Sequence, residues 1–256
     1  MTDYTSQLQA ARRAAMAAGA FLRERFADDK VVNAALPHDL KLQLDRDTQQ
    51  LIVSSLSQDF PEYAILGEEG EHGVDGADYV WIIDPIDGTV NYFYGIPIFC
   101  VSIALQVKGK PVLGCVYDPM QDECYTALAG GRAMLNNREI HVSNRSRMAE
   151  AVVFAGHGSH DGSGEAGIRR FAHISSQVRK MRILGSAALS LCYIAAGRFD
   201  AYIENRINVW DFAAAKVILE SAGGVLQFTP SEGDPRSGAV IAWNGALPLP
   251  QAIELS

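Results

Sequence analysis

The chain has 256 residues, 48% of them hydrophobic and 20% charged, with 22 Lys and Arg against 30 Asp and Glu for a formal charge of -8. Such a composition excludes a disordered chain, a coiled coil and a collagen-like repeat, and the length is ample for a sizeable core. An acidic chain with no basic stripe is a poor fit to nucleic acid or to an anionic membrane, and an anionic ligand would need a metal to reverse the local field.

Residues 5–28 read as a helix, because Ala11, Ala15, Ala18, Leu22 and Phe26 recur at helical spacing with charged residues between them. That reading is preferred to a signal peptide, although Ala14 to Leu22 is apolar after Arg12 and Arg13. A loop with Pro37 follows, then a helix over Asp47 to Ser57 that Pro61 stops. Tyr63 to Leu66 is predicted as a strand ending at Gly67-Glu68-Glu69-Gly70, and Tyr79 to Ile83 as a strand ending at Asp84-Pro85-Ile86-Asp87-Gly88-Thr89. Phe99 to Val107, Pro111 to Tyr117 and Glu123 to Ala127 form an antiparallel meander. Ala133 to Val142 is a hairpin that bends at Asn136-Asn137.

From about residue 150 the pattern changes to alternating strand and helix. Strands are predicted at Ala151 to Ala155, Ala201 to Ile203, Val225 to Phe228 and Ala239 to Ala242. Helices are predicted at Ile168 to Val178, Ser186 to Gly197 and Trp210 to Ala222, with Gly223-Gly224 at the last stop. The chain divides on this reading into an α+β part over 1–150 and an α/β part over 151–256. Cys100, Cys115, Cys124 and Cys192 show no CxxC pairing and read as buried thiols in a reducing compartment. No apolar run reaches the ~18 residues of a membrane span, and the expected location is the cytoplasm.

Asp84-Pro85-Ile86-Asp87-Gly88-Thr89 carries the strongest chemistry. Pro85 stiffens the turn, so both carboxylates and the Ile86 carbonyl can aim at one point. Gly88 allows close backbone approach, and the N–H groups of Gly88 and Thr89 can face an anion. Hard oxygen donors suit Mg²⁺ or Mn²⁺. Taken alone, this is also the sequence of a type I turn. Glu68-Glu69, at a second strand end, tips the balance, because two strand ends presenting carboxylates are costly without a cation. In Trp210-Asp211-Phe212-Ala213-Ala214-Ala215, Asp211 alone reads as a helix cap.

Together these residues resemble the inositol monophosphatase family of Mg²⁺-dependent, lithium-sensitive sugar phosphatases. The likeness rests on Gly67-Glu68-Glu69, on Trp81 through Tyr92, and on Trp210-Asp211-Phe212-Ala213-Ala214 through Gly224. It continues in Gly185-Ser186-Ala187-Ala188 and in Gly197-Arg198-Phe199-Asp200-Ala201-Tyr202. The resemblance implies a layered αβαβα sandwich of mixed α/β and α+β character, as in inositol monophosphatases and fructose-1,6-bisphosphatases. It also implies a homodimer.

The site residues follow from the same resemblance. Glu68, Asp84 and the Ile86 carbonyl would bind a first Mg²⁺. Asp84, Asp87 and Asp211 would bind a second, and Glu68 could help hold a third. Mn²⁺ could substitute for Mg²⁺. Gly88 and Thr89 would bind phosphate through backbone N–H groups, while Thr89 and Asp45 orient the attacking water. Asp87, Ser186, Ala187, Glu204 and Asp211 would line the sugar pocket, with Ser159 in a loop that approaches the ring.

The implied reaction is hydrolysis of a small phosphate monoester by in-line attack of metal-activated water, with no phosphoenzyme. myo-Inositol monophosphate is the favoured substrate. Histidinol phosphate, fructose 1,6-bisphosphate and 3′-phosphoadenosine 5′-phosphate are alternatives. A non-catalytic regulatory protein on the same fold is the rival from another class. The chain departs from many relatives at Leu42-Gln43-Leu44-Asp45, where they carry Thr-x-Thr-Asp, and at Asn205-Arg206. Arg206 reads equally as a surface residue or as a contact to a second anionic group.

Overall fold

A computed structural model describes residues 3–28, 32–36, 39–73, 76–156 and 164–249. In chain order the elements begin with α1 (Thr5–Glu24), β1 (Val32–Leu36), β2 (Asp39–Leu42), α2 (Gln43–Asp59), β3 (Ala64–Gly67) and β4 (Gly70–His72). Next come β5 (Tyr79–Asp87), α3 (Thr89–Phe93), β6 (Cys100–Val107), β7 (Lys110–Asp118), β8 (Glu123–Leu128), β9 (Met134–Leu135) and β10 (Arg138–Glu139). The remainder is β11 (Val152–Ala155), α4 (Gly164–Gln177), β12 (Lys180–Arg182), α5 (Ala187–Ala195), β13 (Ala201–Asn208), α6 (Val209–Ser221), β14 (Val225–Ser231) and β15 (Asp234–Trp243).

An eight-stranded sheet has the order β10-β9-β8-β7-β6-β5-β3-β4, and a five-stranded sheet has the order β12-β11-β13-β15-β14. The helices fall where their apolar faces require. The buried face of α1 is Ala10, Ala11, Ala14, Ala15, Ala18 and Leu22, and its small side chains let the helix lie close to the sheet. With Ile52 and Leu56 of α2 it covers Trp81, Ile83 and Ile103 of the large sheet. Helices α5 and α6 are apolar nearly all round, the pattern of a helix buried on both sides. Leu189, Leu191, Ile194, Phe212 and Ile218 pack between Ile82, Ala104 and Val116 of the large sheet and Tyr202, Leu226 and Val240 of the small one. Gly114 of β7 lies against the Ala214 backbone, where a Cβ would collide with the Ala214 carbonyl. Ile174 of α4 packs on Val153, Ala201 and Trp243 across the outer face of the small sheet. The result is the expected five-layer αβαβα sandwich. Among the described residues no helix is long and apolar enough to cross a membrane.

The meander β5–β8 is antiparallel throughout. The β9–β10 bend has Asn136 at φ 46° and Asn137 at φ 65°, as a two-residue type I′ turn demands. Other elements differ from expectation. The expected loop before α2 contains the hairpin β1–β2. Helix α2 starts four residues early, so Asp45 is the third residue of the helix. Strand β5 runs on through Pro85 to Asp87, and β13 continues past Ile203 to Asn208.

Candidate active site

Strands β3 and β5 are parallel, with Gly67 paired to Ile83, so Glu68, just past the end of β3, lies beside Asp84 of β5. Gln49 of α2 fixes the turn that follows β3. Its Oε1 accepts the Glu69 N–H at 3.0 Å, and its Nε2 donates to the Gly70 carbonyl at 3.1 Å. The Gln49 amide occupies the space a Cβ at Gly67 would need. Arg46 pairs with Glu69 at 3.6 Å.

The β5 ladder slips between Asp84 and Asp87, where Pro85 has no N–H to give. Asp84 Oδ1 accepts the Ile86 N–H at 3.0 Å. Asp87 points at the start of α5 and accepts from Ser186 Oγ at 2.5 Å, the Ala188 N–H at 2.7 Å and the Ala187 N–H at 3.1 Å. This is a favourable seat for an anion, at the positive end of a helix dipole. Gly88 has φ +104°, and a Cβ there would crowd the Ile98 and Gly185 carbonyls. The Thr89 hydroxyl lies 3.0 Å from the Ile86 carbonyl and 3.3 Å from Asp45 Oδ1. Having one proton, it donates to one of them at a time.

The second sheet contributes the opposite wall by the same device. Strands β11 and β13 are parallel with Ala155 opposite Ile203, so Gly156 and Glu204 emerge together. The Glu204 carboxylate fills the space a Gly156 side chain would take. Asp211 Oδ2 accepts the Asn208 N–H at 2.9 Å, completing the first turn of α6. Asp211 thus stabilises the helix start and also lines the cavity.

Glu68, Asp84, Ile86, Asp87, Gly88, Thr89, Ser186, Ala187, Glu204 and Asp211 line one cavity of ≈ 480 Å³. Asp45 does not line it. It is buried and touches the site through Thr89. Ser159 lies outside the described residues. Sequence reasoning missed Gln49 and Asn91. Asn91 Nδ2 donates to the Ile98 and Leu184 carbonyls, tying the Gly88 loop to the segment before α5.

The electrostatics disfavour several ionised carboxylates side by side, and a bound proton or cation relieves that cost. Burial is the main force holding the Asp84 carboxyl well above the usual carboxylate range, and the charges of Glu68, Asp87, Asp211 and Asp45 push it the same way. Burial also raises Asp87, against the hydrogen bonds from Ser186, Ala187 and Ala188. Among the described residues no three His, Cys, Asp or Glu side chains are gathered into a ready-made metal cage. Asp84, Asp87 and Asp211 are instead each tied to backbone donors at their own corner of the cavity. The donor set fits Mg²⁺ nonetheless, because all its members are hard oxygens and their clustered charge needs a divalent counter-ion.

The profile of the inositol monophosphatase family matches residues 3–254. The chain belongs to the inositol monophosphatase family. It is 38% identical over 239 residues to an inositol-1-monophosphatase of Rhizobium meliloti, covering 91% of this chain and 89% of that protein. It is 37% identical over 246 residues to the Nus factor SuhB of Pseudomonas aeruginosa, covering 93% and 91%. Among solved structures, the extragenic suppressor protein suhB of Bartonella henselae superposes with a TM-score of 0.89 at 33% identity, covering 98% of this chain and 97% of that one. Family members with names of both kinds, enzyme and Nus factor, thus share this architecture along almost their whole length.

Proposed function

We propose that the chain hydrolyses a small phosphate monoester of a polyol or sugar, with myo-inositol monophosphate the favoured substrate and Mg²⁺ the cofactor. The observation that carries this reading is the convergence of three acidic segments, at β3, β5 and α6, on one cavity around the fully buried Asp84. Glu68, Asp84, the Ile86 carbonyl, Asp87 and Asp211 would hold the metal. Bound Mg²⁺ supplies charge neutralisation for the phosphate and acidification of water.

The chain's own residues do the rest. The N–H groups of Gly88 and Thr89 orient the phosphate. When Thr89 Oγ1 donates to Asp45, its lone pairs accept a hydrogen bond from the attacking water and aim that water at phosphorus; as the water's proton passes to Thr89 Oγ1, the Thr89 proton passes to the Asp45 carboxylate, a two-step relay. Asp87, seated on α5, and the turn that carries Glu68, fixed by Gln49 at Glu69 and Gly70, are held before substrate arrives, so little reorganisation remains for the reaction. Glu204 accepts from the sugar hydroxyls on the opposite wall.

Gly156→Ala tests the last role. The new Cβ would displace the Glu204 carboxylate, the far end of a flexible side chain that accepts the Asn205 N–H at 2.9 Å, rather than collide with backbone. KM for inositol monophosphate is expected to rise about tenfold, the scale of losing a charge-assisted hydrogen bond, with little change in kcat. An unchanged KM would remove Glu204 from sugar binding.

The relatives named Nus factor favour a second reading, a regulatory binding protein on the same fold. Phosphate release over a panel of inositol, histidinol, fructose and nucleotide phosphates, with Mg²⁺ or Mn²⁺, separates the two. Rapid metal-dependent release from inositol monophosphate is expected, and no release from any member would leave the regulatory reading.

A further inference from the structure

Arg206 is the only basic residue among the described residues that line the cavity, and it stands there unpaired. Its side chain is exposed and has no hydrogen-bond or ion-pair partner among the described residues. It stands in a local irregularity of β13. Glu204 pairs with Val240 and Ile207 with Gly238, so Asn205 and Arg206 together face the single residue Ala239. This is a β-bulge, the device that re-aims side chains beside functional sites. Tyr202, Glu204 and Arg206 face the cavity by ordinary alternation, while Asn205 lines a small pocket on the opposite face. Past the bulge, Ile207 and Asn208 join Arg206 on the cavity side.

We propose that Arg206 is a specificity residue that binds a second phosphate of the substrate, remote from the one hydrolysed. The inference rests on the phosphatase reading above and extends the substrate class to bisphosphorylated polyols or sugars. A guanidinium offers five donors in a planar fork and accepts nothing, so it matches a phosphate better than a sugar hydroxyl. The wall it stands on is otherwise hostile to a dianion, because Glu204 shares its face. An unpaired arginine beside that carboxylate supplies the attraction a distal phosphate needs, with bidentate charge-assisted hydrogen bonds.

The test compares myo-inositol 1,4-bisphosphate with myo-inositol 1-phosphate on the full chain in Mg²⁺. For wild type, kcat/KM for the bisphosphate should exceed that for the monophosphate. Arg206→Ala should lower that ratio by at least about tenfold, the scale of losing hydrogen bonds to a charged group, chiefly through KM. Arg206→Lys, which keeps charge but loses the fork, should recover part of it. An Arg206→Ala ratio equal to that of wild type would overturn the proposal and make Arg206 a solvated surface cation. The rise in Tm with each ligand at one concentration reads the same discrimination without turnover. A larger rise with the bisphosphate that Arg206→Ala abolishes, in a chain that releases no phosphate, would sustain Arg206 and reject the phosphatase reading. Equal rises would overturn Arg206 alone.

Discussion

Asp84→Asn is expected to lower phosphate release by about 10²–10³-fold or more, the scale of losing a single electrostatic group in the transition state, while making the metal-free protein more stable. Both effects have one origin. Asp84 is buried among the charges of Glu68, Asp87, Asp211 and Asp45, and each raises the cost of its ionised form. Asn keeps the shape, and its Oδ1 still accepts the Ile86 N–H that Asp84 accepts at 3.0 Å. Only the charge is lost. Without metal that loss removes repulsion, and Tm should rise. About 1 kcal/mol corresponds to ~2–4 °C for a chain near this size. With Mg²⁺ the order reverses, because wild type gains binding free energy that the variant has lost. A variant whose metal-free Tm falls, and whose Mg²⁺-induced rise matches that of wild type, would make Asp84 a structural residue.

The second large effect concerns Thr89 and Asp45. Thr89→Val removes the hydroxyl and keeps the branched shape. Asp45→Asn keeps the size but removes the charge that the hydroxyl faces at 3.3 Å. Each change should cost about 10²-fold in kcat, the lower end for lost general acid–base assistance, with metal affinity nearly intact. The double variant should be little worse than either single one, because the pair acts as one unit. Asp45 also sits in the first turn of α2, where a carboxylate favours the helix dipole. If that were its whole role, Asp45→Asn would cost a few tenths of a kcal/mol of stability and leave turnover alone. Additive losses, or a silent Asp45→Asn, would sink the relay.

The layered fold was legible because its apolar periods are long. The meander strands, the Ala-rich face of α1 and the all-round apolar α5 and α6 each announce their burial. The acidic segments were legible because each combines turn chemistry with the end of an apolar run. Short or irregular elements were not. The hairpin β1–β2 lacks clean alternation, α3 has five residues and β12 has three. The polar Glu204-Asn205-Arg206 hid the continuation of β13, because a bulge breaks the period on which strand prediction relies.

The supporting contacts were hidden for a different reason. The seat of Asp87 on α5 joins residues about a hundred positions apart, and the Gln49 clasp joins residues about twenty apart. The small residue at Gly156 has meaning only once β11 and β13 lie parallel with Glu204 beside it. These are tertiary facts, and no local pattern carries them.

If the carboxylates around Asp84 form a metal-dependent phosphatase site, turnover requires both the metal and Asp84. Phosphate release from myo-inositol 1-phosphate, measured for wild type and Asp84→Asn across a Mg²⁺ titration that starts in chelator, tests it most directly. The expected result is no release from wild type in chelator, a saturable rise with Mg²⁺, and almost none from Asp84→Asn at any concentration. Equal release from both proteins, or release from wild type that ignores Mg²⁺, would contradict it.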